Sequence, residues 1–216
     1  RSADAAANSE CLQRTILSGA EKIIIPKMPT PWVVDVDTAP DSPFADPDFN
    51  SNRSCTPPVG QDSCIPPDGG RPCAIFPKGS DNLNCSTPRR AALYIDGQAR
   101  SGFGSANDTT IVLEPGVEIQ ALRGSFAGLN DCLIQARALS NLTIVGYNAT
   151  LRMWKEDYNN HSLYRDSEFR MGISLYGSRG VRIFGLSVRD TGGDGLFFGN
   201  WGDAPYGNVD CHIKDF

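Results

Sequence analysis

The sequence predicts an all-β protein built as a parallel β-helix, and internal repetition is the main evidence. Gly-Ile-Ser-Leu-Tyr-Gly at 172–177 recurs as Gly-Leu-Phe-Phe-Gly-Asn at 195–200, 23 residues later. Val-Arg-Ile-Phe-Gly-Leu at 181–186 recurs as Cys-His-Ile-Lys-Asp-Phe at 211–216, 30 residues later. An earlier strand pair containing Ile134 and Ile144 aligns with Ile173 and Ile183 at an offset of 39. Such offsets indicate one coil of about 23 residues that carries loops of variable length.

The strands themselves support this fold, because after residue 90 they are short and apolar and lack helical periodicity. Alternation lets each strand bury one side in a common interior while its backbone pairs with neighbouring coils. A β-sandwich is the alternative, but it predicts Asn-Gly or Asp-Gly hairpin turns, and after residue 90 these occur only at 96–97 and 194–195. The predicted strands are Thr110–Leu113, Val117–Ala121, Cys132–Ala136, Leu142–Val145, Ala149–Met153, Gly172–Tyr176, Val181–Phe184, Leu186–Arg189, Leu196–Phe198 and Cys211–Phe216.

Composition divides the chain into three zones. Residues 1–36 contain a short amphipathic helix predicted at Ser9–Leu17, followed by β-branched runs at 22–26 and 32–36. Residues 37–90 hold ten of the fifteen prolines and form a predicted irregular insertion. Residues 91–216 form the coils. Because 211–216 has the pattern of a strand without a following cap, we expect the coils to continue beyond Phe216.

Charge and hydropathy exclude several classes of partner. Lys and Arg number 20 against 25 Asp and Glu, which gives a net charge of −5. A protein that binds duplex nucleic acid needs a basic face, so nucleic acid is not predicted as a partner. No apolar run approaches the ~20 residues that a membrane span requires.

Cysteine placement points to an oxidising compartment. Four of the seven cysteines lie in the polar insertion, where disulfides would supply order that packing cannot. Zinc is the competing interpretation, but the chain has no Cys-x-x-Cys pair and only two histidines, both outside the insertion. Cys132, in an apolar strand, is predicted to be a buried thiol. The predicted disulfide cysteines are Cys55, Cys64, Cys73 and Cys85.

Glycosylation triplets indicate passage through a secretory route. The chain has six Asn-x-Ser/Thr triplets, whereas its composition alone would give about two. The excess predicts a secreted, extracellular glycoprotein, and chance in an Asn-rich turn protein is the alternative. The predicted acceptors are Asn52, Asn84, Asn107, Asn141, Asn148 and Asn160.

Five segments give the chain a family resemblance. They are Ile-Ile-Ile-Pro-Lys-Met-Pro-x-Pro-Trp at 23–32, Leu-Glu-Pro-Gly-Val-Glu-Ile at 113–119, Asn-Asp-Cys-Leu at 130–133, Asn-Leu-Thr-Ile-Val-Gly-Tyr-Asn-Ala-Thr-Leu-Arg-Met at 141–153, and Val-Arg-Asp-Thr-Gly-Gly-Asp-Gly-Leu at 188–196. The chain resembles secreted pectin-lyase-like right-handed parallel β-helix repeat proteins over residues 9–36 and 91–216. The resemblance implies a right-handed helix whose N-terminal end is plugged by the 9–17 helix. It also implies that polysaccharide binds where loops precede the first strand of each coil.

A rim of charged residues is predicted on that loop face. The 23-residue register sets Asp194 in line with Met171, so Asp194, Asp190, Arg170 and Glu168 are the candidate catalytic residues. Arg or a bound Ca²⁺ would neutralise a uronic acid carboxylate while a base removes the neighbouring proton. Alternatively, two carboxylates would hydrolyse a glycosidic bond. In a third interpretation, Thr-Gly-Gly-Asp-Gly at 191–195 is a tight turn in which Asp194 bonds the backbone.

Aromatic residues in the loop 154–170 are candidate sugar-binding groups. Trp154, Tyr158, His161 and Tyr164 could present ring faces to a sugar. The alternative is that these side chains fold the loop back onto its scaffold. His212 lies on a strand with its side chain predicted to point outward, which makes it a poor catalytic candidate.

Three functions follow as hypotheses. The first is a carbohydrate-active lyase, epimerase or hydrolase. The second is a noncatalytic extracellular structural or adhesive module with a protein partner. The third is a glycan-binding module. The chain lacks the Asn-Thr-Asp and Gly-His-Gly signatures of polygalacturonase-like hydrolases and the Asp-Pro-His motif of alginate-epimerase-like enzymes, so no family activity transfers residue by residue.

Overall fold

The regular elements are mainly β-strands, and every strand in the described part of the chain lies in a parallel sheet. The structure is a computed structural model that describes residues 2–36, 90–98, 103–128, 131–164, 166–199 and 207–216. Its elements are α1 Ser2–Ile16, β1 Lys22–Ile25, β2 Trp32–Val34, β3 Ala91–Asp96, β4 Thr110–Leu113, β5 Glu118–Ala121, β6 Cys132–Arg137, β7 Thr143–Arg152, α2 Lys155–Tyr158, β8 Ile173–Tyr176, β9 Arg182–Arg189, β10 Leu196–Gly199 and β11 His212–Lys214.

Strand pairing forms three parallel ladders. The first ladder is a four-stranded sheet in the order β3-β6-β8-β10. The other sheet has seven strands, and within it β7 and β9 are long enough to pair along both of their halves. Their first halves join β1, β4 and β11 in the second ladder. Their second halves join β2 and β5 in the third ladder.

The observed registers confirm all three repeat offsets. Leu196 pairs with Ile173, an offset of 23 residues. Ile213 pairs with Ile183 at an offset of 30. Ile173 in turn pairs with Ile134 at an offset of 39. The sequence repeat therefore reports which residues are laterally bonded neighbours.

The core lies between the two sheets. Ile111 and Ile144 are paired residues of the second ladder, and both are at most 5% exposed. Ile119 and Leu151 are likewise paired and buried in the third ladder, and Ile134 is buried in the first ladder. These side chains line one small apolar cavity together, so both sheets contribute to one interior.

Helix α1 covers one end of this core, but it begins earlier than predicted. The Ala-rich segment before Ser9 is itself a good helix former, so Ser9 lies inside the helix and does not cap it. Ser9 is buried, and its hydroxyl accepts a hydrogen bond from the backbone N–H of Asp35 at 2.9 Å. Leu12, Ile16 and Leu17 are buried on one face, as the amphipathic pattern predicts.

The observed strands differ from the predicted ones in three places. Strand β3 was not among the predicted strands, because all six of its residues are buried and it therefore lacks alternation. The predicted pair 142–145 and 149–153 forms one strand, β7, with an irregularity between Val145 and Ala149. The pair 181–184 and 186–189 likewise merges into β9.

Left-handed residues form the corner before the second ladder. Asp108, Asn141 and Asp210 have φ values of 54°, 58° and 52°, and each lies two residues before its strand. Asn and Asp tolerate this conformation better than other non-glycine residues do. The Asn141 amide also donates to the Asp108 carboxylate at 3.0 Å, which ties two successive corners together.

The disulfide prediction has no support in the part of the chain that is described. Cys11 and Cys211 are free thiols. Cys132 is 3% exposed and its sulfur lies 3.5 Å from the Ser174 hydroxyl, which confirms the predicted buried thiol. The four cysteines of the 37–90 insertion lie outside the described residues.

Candidate functional site

Three loops precede strands of the first ladder, and contacts between them form one surface, called here the loop rim. They span 122–131 before β6, 153–172 before β8 and 190–195 before β10. The backbone N–H groups of Gly192 and Gly193 donate to the Arg170 carbonyl at 3.1 and 2.9 Å. The Arg170 guanidinium donates in turn to the Gly128 carbonyl at 3.2 Å. The loops before adjacent strands of the first ladder are thus bonded to each other.

Arg170 holds the interior of the loop rim. It is 1% exposed, and its guanidinium carbon lies 5.0 Å from the ring centre of Tyr158 and 5.6 Å from that of Tyr164. A buried guanidinium stacked on aromatic faces gains from the cation–π interaction. Arg170 therefore cannot neutralise a sugar carboxylate on an open surface, as the sequence suggested, but organises the loops that form that surface.

Tyr158 and Tyr164 also lie in the interior. They are 4% and 7% exposed and make an edge-to-face pair with ring centres 5.2 Å apart. The Tyr158 hydroxyl has no hydrogen-bond partner among the described residues. Burial is the main cause that raises the pKa of Tyr158 above its usual value. Neither ring offers a face to a sugar, so these residues fold the loop back onto the scaffold.

The turn at 191–195 packs directly on this cluster. A Cβ on Gly192 would lie 2.8 Å from the Tyr158 ring, and a Cβ on Gly193 would overlap the Glu168 carbonyl. The Thr191 hydroxyl donates to the Gly193 carbonyl at 2.7 Å and so closes the turn. The turn interpretation is therefore correct in outline, although Thr191, and not Asp194, makes the bond.

Glu168 and Asp194 are the predicted carboxylates that the structure brings together. The Asp194 backbone N–H lies 3.4 Å from the Glu168 carbonyl, so the two residues are neighbours in two adjacent rim loops. Both are exposed. Neither carboxylate has a hydrogen-bond or ion-pair partner in the described ranges. The loop rim thus presents two adjacent acidic groups that are open to a ligand.

Trp154 lies at the edge of the rim beneath a guanidinium cluster. Its indole N–H donates to the Ala121 carbonyl at 2.7 Å, and the guanidinium carbons of Arg123 and Arg152 lie 4.9 and 5.8 Å from its ring centre. Arg123 also makes a two-pronged ion pair with Asp157, which lowers the pKa of that carboxyl. The half-buried indole is therefore covered by protein groups.

Asp190 belongs to this cluster and not to the carboxylate pair. Its carboxylate accepts from Arg152 Nε at 3.0 Å on the outer face of the third ladder. The Arg152 side chain also lies 4.0 Å from Glu118, which is laterally one strand away. Arg152, on the adjacent strand β7, therefore neutralises Asp190, whereas Asp194 has no such partner among the described residues.

The two histidines are both exposed. His161 lies 3.2 Å from Asp166 at the outside of the loop, and it is the one predicted sugar-binding side chain that remains largely open to solvent. His212 points outward from β11, as predicted, and contacts Asp210 at 2.8 Å.

Within the described residues, no three His, Cys, Asp or Glu side chains converge to hold a metal ion, so a Ca²⁺ site has no ready-made cluster there. Among the described helices, none is long and apolar enough to cross a membrane.

Comparison with known proteins adds no relative. No family model, curated protein or solved structure matches the chain.

Sequence reasoning missed the Arg123–Trp154–Arg152 cluster. Arg123 and Asp157 are 34 residues apart and lie in different loops, so no local pattern links them. Arg152 carries a weak signal, because it alternates with buried Leu151 and Met153 and must therefore point outward from its strand.

Proposed function

We propose that the chain is a secreted right-handed parallel β-helix glycoprotein that acts on polysaccharide at the loop rim. Three parallel ladders that share one interior are what a β-helix with three strands per coil would produce. Right-handed crossovers follow from the general preference of parallel β connections, which holds in ~98% of cases. The family resemblance of the sequence supports the same fold.

The Glu168–Asp194 pair is the observation that carries this proposal. Two carboxylates on adjacent coils, with backbones in contact, can reach the ~5–10 Å separation that acid and base groups need for glycosidic bond hydrolysis. The same pair can supply the base for proton abstraction beside a uronic acid carboxylate. Their exposure leaves them accessible to a long polymer, which a deep pocket would exclude.

Arg170 supports the pair without touching substrate. Its carbonyl accepts bonds from the turn that carries Asp194, and its guanidinium is fixed by the tyrosines below. The turn therefore keeps one conformation on which the carboxylates are displayed. A site built on rigid supports places its groups more precisely than one on a free loop.

A polysaccharide screen tests the activity. The purified protein is incubated with uronans and neutral glycans, with Ca²⁺ or with a chelator, and products are followed by reducing ends and by absorbance of unsaturated sugars. Asp194→Asn and Glu168→Gln should each lower the rate by at least ~100-fold, as expected for loss of an acid or base. Glu10→Gln, an exposed carboxylate on α1, is the matched control and should leave the rate unchanged. Wild-type protein that depolymerises no glycan would overturn the enzymatic proposal.

A second function is favoured by the outer face of the second ladder. Ile24, Val112, Val145 and Phe184 lie in one laterally paired row on that face, and Ile24 is 54% exposed. Such a row suits a noncatalytic extracellular module that binds another protein. Val145→Glu would abolish binding to an extracellular partner if this surface is used, and would leave the polysaccharide reaction unchanged.

A further inference from the structure

Four of the six glycosylation triplets fall within the described residues, and their asparagines have very different surroundings. They are Asn107, Asn141, Asn148 and Asn160, whereas Asn52 and Asn84 lie outside that part of the chain. Asn107 and Asn148 differ most: the side-chain amide of Asn107 is hydrogen-bonded to backbone, whereas that of Asn148 makes no hydrogen bond to a described residue. The contrast is informative because a glycan replaces one hydrogen of the amide nitrogen.

Asn107 is a structural clip at the corner before β4. Its amide nitrogen donates to the Gly97 carbonyl at 2.8 Å, and its amide oxygen accepts from the Ser140 backbone N–H at 2.8 Å. It therefore bonds the end of β3 to the corner of the next coil. A Cβ on Gly97 would lie 2.7 Å from the Asn107 amide oxygen, so the amide is closely packed against that backbone. The amide nitrogen of this half-buried residue points at the Gly97 backbone, so a sugar ring on it would have to displace the end of β3.

Asn148 has the opposite environment. It is exposed, and its side chain makes no hydrogen bond to any described residue. It lies in the irregularity of β7, where the four-residue step from Val145 to Ala149 faces the two-residue step from Phe184 to Leu186 in β9. The two additional residues make this corner protrude. Its φ of 62° is a conformation that asparagine tolerates, and its backbone carbonyl accepts the one bond that the corner needs, from Gly116 at 2.9 Å.

Asn141 and Asn160 do not discriminate in this way. Both are exposed. Asn141 makes exposed hydrogen bonds to the side chains of Asp108 and Arg182 through its amide, and these side chains can turn aside for a glycan, unlike the backbone groups that Asn107 bonds. Asn160 uses its carbonyl oxygen to bond Ser162, which leaves its amide nitrogen unengaged within the described residues.

We propose that the folded protein carries an N-linked glycan on Asn148 and none on Asn107. The inference deepens the proposed function, because it rests on passage through a secretory route. In the transfer, the Asn148 amide nitrogen bonds to the anomeric carbon of a lipid-linked oligosaccharide diphosphate. The bond from that carbon to the diphosphate oxygen breaks, the lipid diphosphate leaves, and the amide loses one proton to a base of the transferase. No oxidant or reductant is needed.

The position of Asn148 keeps the glycan away from the proposed polysaccharide site. Asn148 lies at the corner between the second and third ladders, four residues and about 13 Å of strand before Arg152. The loop rim begins only beyond the end of that strand. A glycan at Asn148 would therefore shield a corner of the coil and leave Glu168 and Asp194 open.

Site occupancy tests the proposal directly. The full chain is expressed with a secretion signal in a eukaryotic host, and the folded monodisperse fraction is treated with a peptide N-glycosidase in heavy-oxygen water. Peptide mass spectrometry should find labelled aspartate at position 148 and unlabelled asparagine at 107. Occupied Asn107 in the folded fraction, or unoccupied Asn148 beside other occupied triplets, would overturn the inference.

Two variants separate the structural role of Asn107 from the acceptor role of Asn148. Asn107→Gln moves the amide away from Gly97 and Ser140, and should lower the unfolding midpoint of the deglycosylated protein by about 4–8 °C. Thr150→Val removes the triplet at 148 but keeps Asn148 itself, and should lose one glycan with a midpoint within about 2 °C of wild type. Equal midpoints for the two variants would contradict the role of Asn107.

The outcome is independent of the polysaccharide activity. Forced secretion supplies the transferase whether or not the native protein is secreted, so occupancy tests only the geometry of the two corners. Failure of the enzymatic proposal appears instead as inactivity in the glycan screen.

Discussion

The backbone of Gly193 lies so close to the Glu168 carbonyl that a Cβ at position 193 would overlap it. The contact brings the β9–β10 turn onto the loop that precedes β8. It also explains why two glycines precede Asp194, since a side chain at 193 would push the turn off its support. The spacing of the Glu168 and Asp194 carboxylates therefore depends on glycine at position 193.

Gly193→Ala should destabilise the protein by about 1–3 kcal/mol, the usual cost of forcing a methyl group into a closely packed region. Gly195→Ala in the same turn is the control, because the nearest atom to its Cβ position is 3.9 Å away, an ordinary contact. It should change stability by less than about 0.5 kcal/mol. Denaturant unfolding measures both. Equal costs would show that the crowding at Gly193 is absent.

The corner at Gly185 supports a second prediction, since the Tyr147 ring covers it. Gly185 has a φ of 67°, and a Cβ there would overlap the ring, whose hydroxyl bonds Asp215 at 3.0 Å. Gly185→Ala should cost about 2–4 kcal/mol, the sum of backbone strain and overlap. Gly124→Ala isolates the strain, because Gly124 has a φ of 89° but no neighbour within 4 Å, and should cost about 1 kcal/mol.

A double-mutant cycle checks the cause. If the ring is responsible, Tyr147→Ala in the Gly185→Ala background should recover the excess cost over Gly124→Ala. Additive effects of the two substitutions would rule the ring out.

The shared interior gives a third prediction about adjacent residues of one strand. Ile144 is 5% exposed and lines the apolar cavity, whereas Val145 lies on the outer face. Ile144→Ala should cost about 2–5 kcal/mol through lost burial and an enlarged cavity. Val145→Ala should cost less than about 1 kcal/mol. Thermal unfolding of both variants measures the difference. A larger cost for Val145→Ala than for Ile144→Ala would mean that Val145, and not Ile144, points into the core.

The sequence predicted strand pairing well because lateral neighbours share a repeat. Ile134 and Ile173 are buried and directly paired on adjacent strands of the first ladder, so similar residues recur at the pairing offset. The same logic failed for β3, from Ala91 to Asp96. Both faces of that strand are buried, and a strand without a solvent face has no alternation to detect.

The candidate site was predicted only in part. The register set Asp194 in line with Met171, and the predicted rim grouped Asp194 with Glu168. The structure brings the Asp194 backbone N–H to 3.4 Å from the Glu168 carbonyl. The repeat does not determine the direction of the Arg170 side chain, which lies between them in the predicted rim but points into the interior. Side-chain direction in a loop depends on what packs beneath it, and the tyrosines that hold Arg170 come from the same irregular loop.

The buried hydroxyl of Tyr158 gives the last prediction, an alkaline limit to stability. Burial raises the pKa of Tyr158 in the folded state above that of an exposed tyrosine, which is about 10. Below pH 10 the Tyr158 hydroxyl keeps its proton in both the folded and the unfolded chain, so this group does not change the stability. Above pH 10 the unfolded chain releases the proton while the folded chain retains it, so stability falls as pH rises.

Tyr158→Phe should remove this loss. At pH 7 it should be neutral or slightly stabilising, because the hydroxyl that it deletes is buried without a partner among the described residues. Urea unfolding between pH 8 and 11 measures the effect. The wild-type midpoint should fall more steeply above pH 10 than that of the variant. Parallel curves would mean that the Tyr158 hydroxyl ionises normally and is not buried in the folded protein.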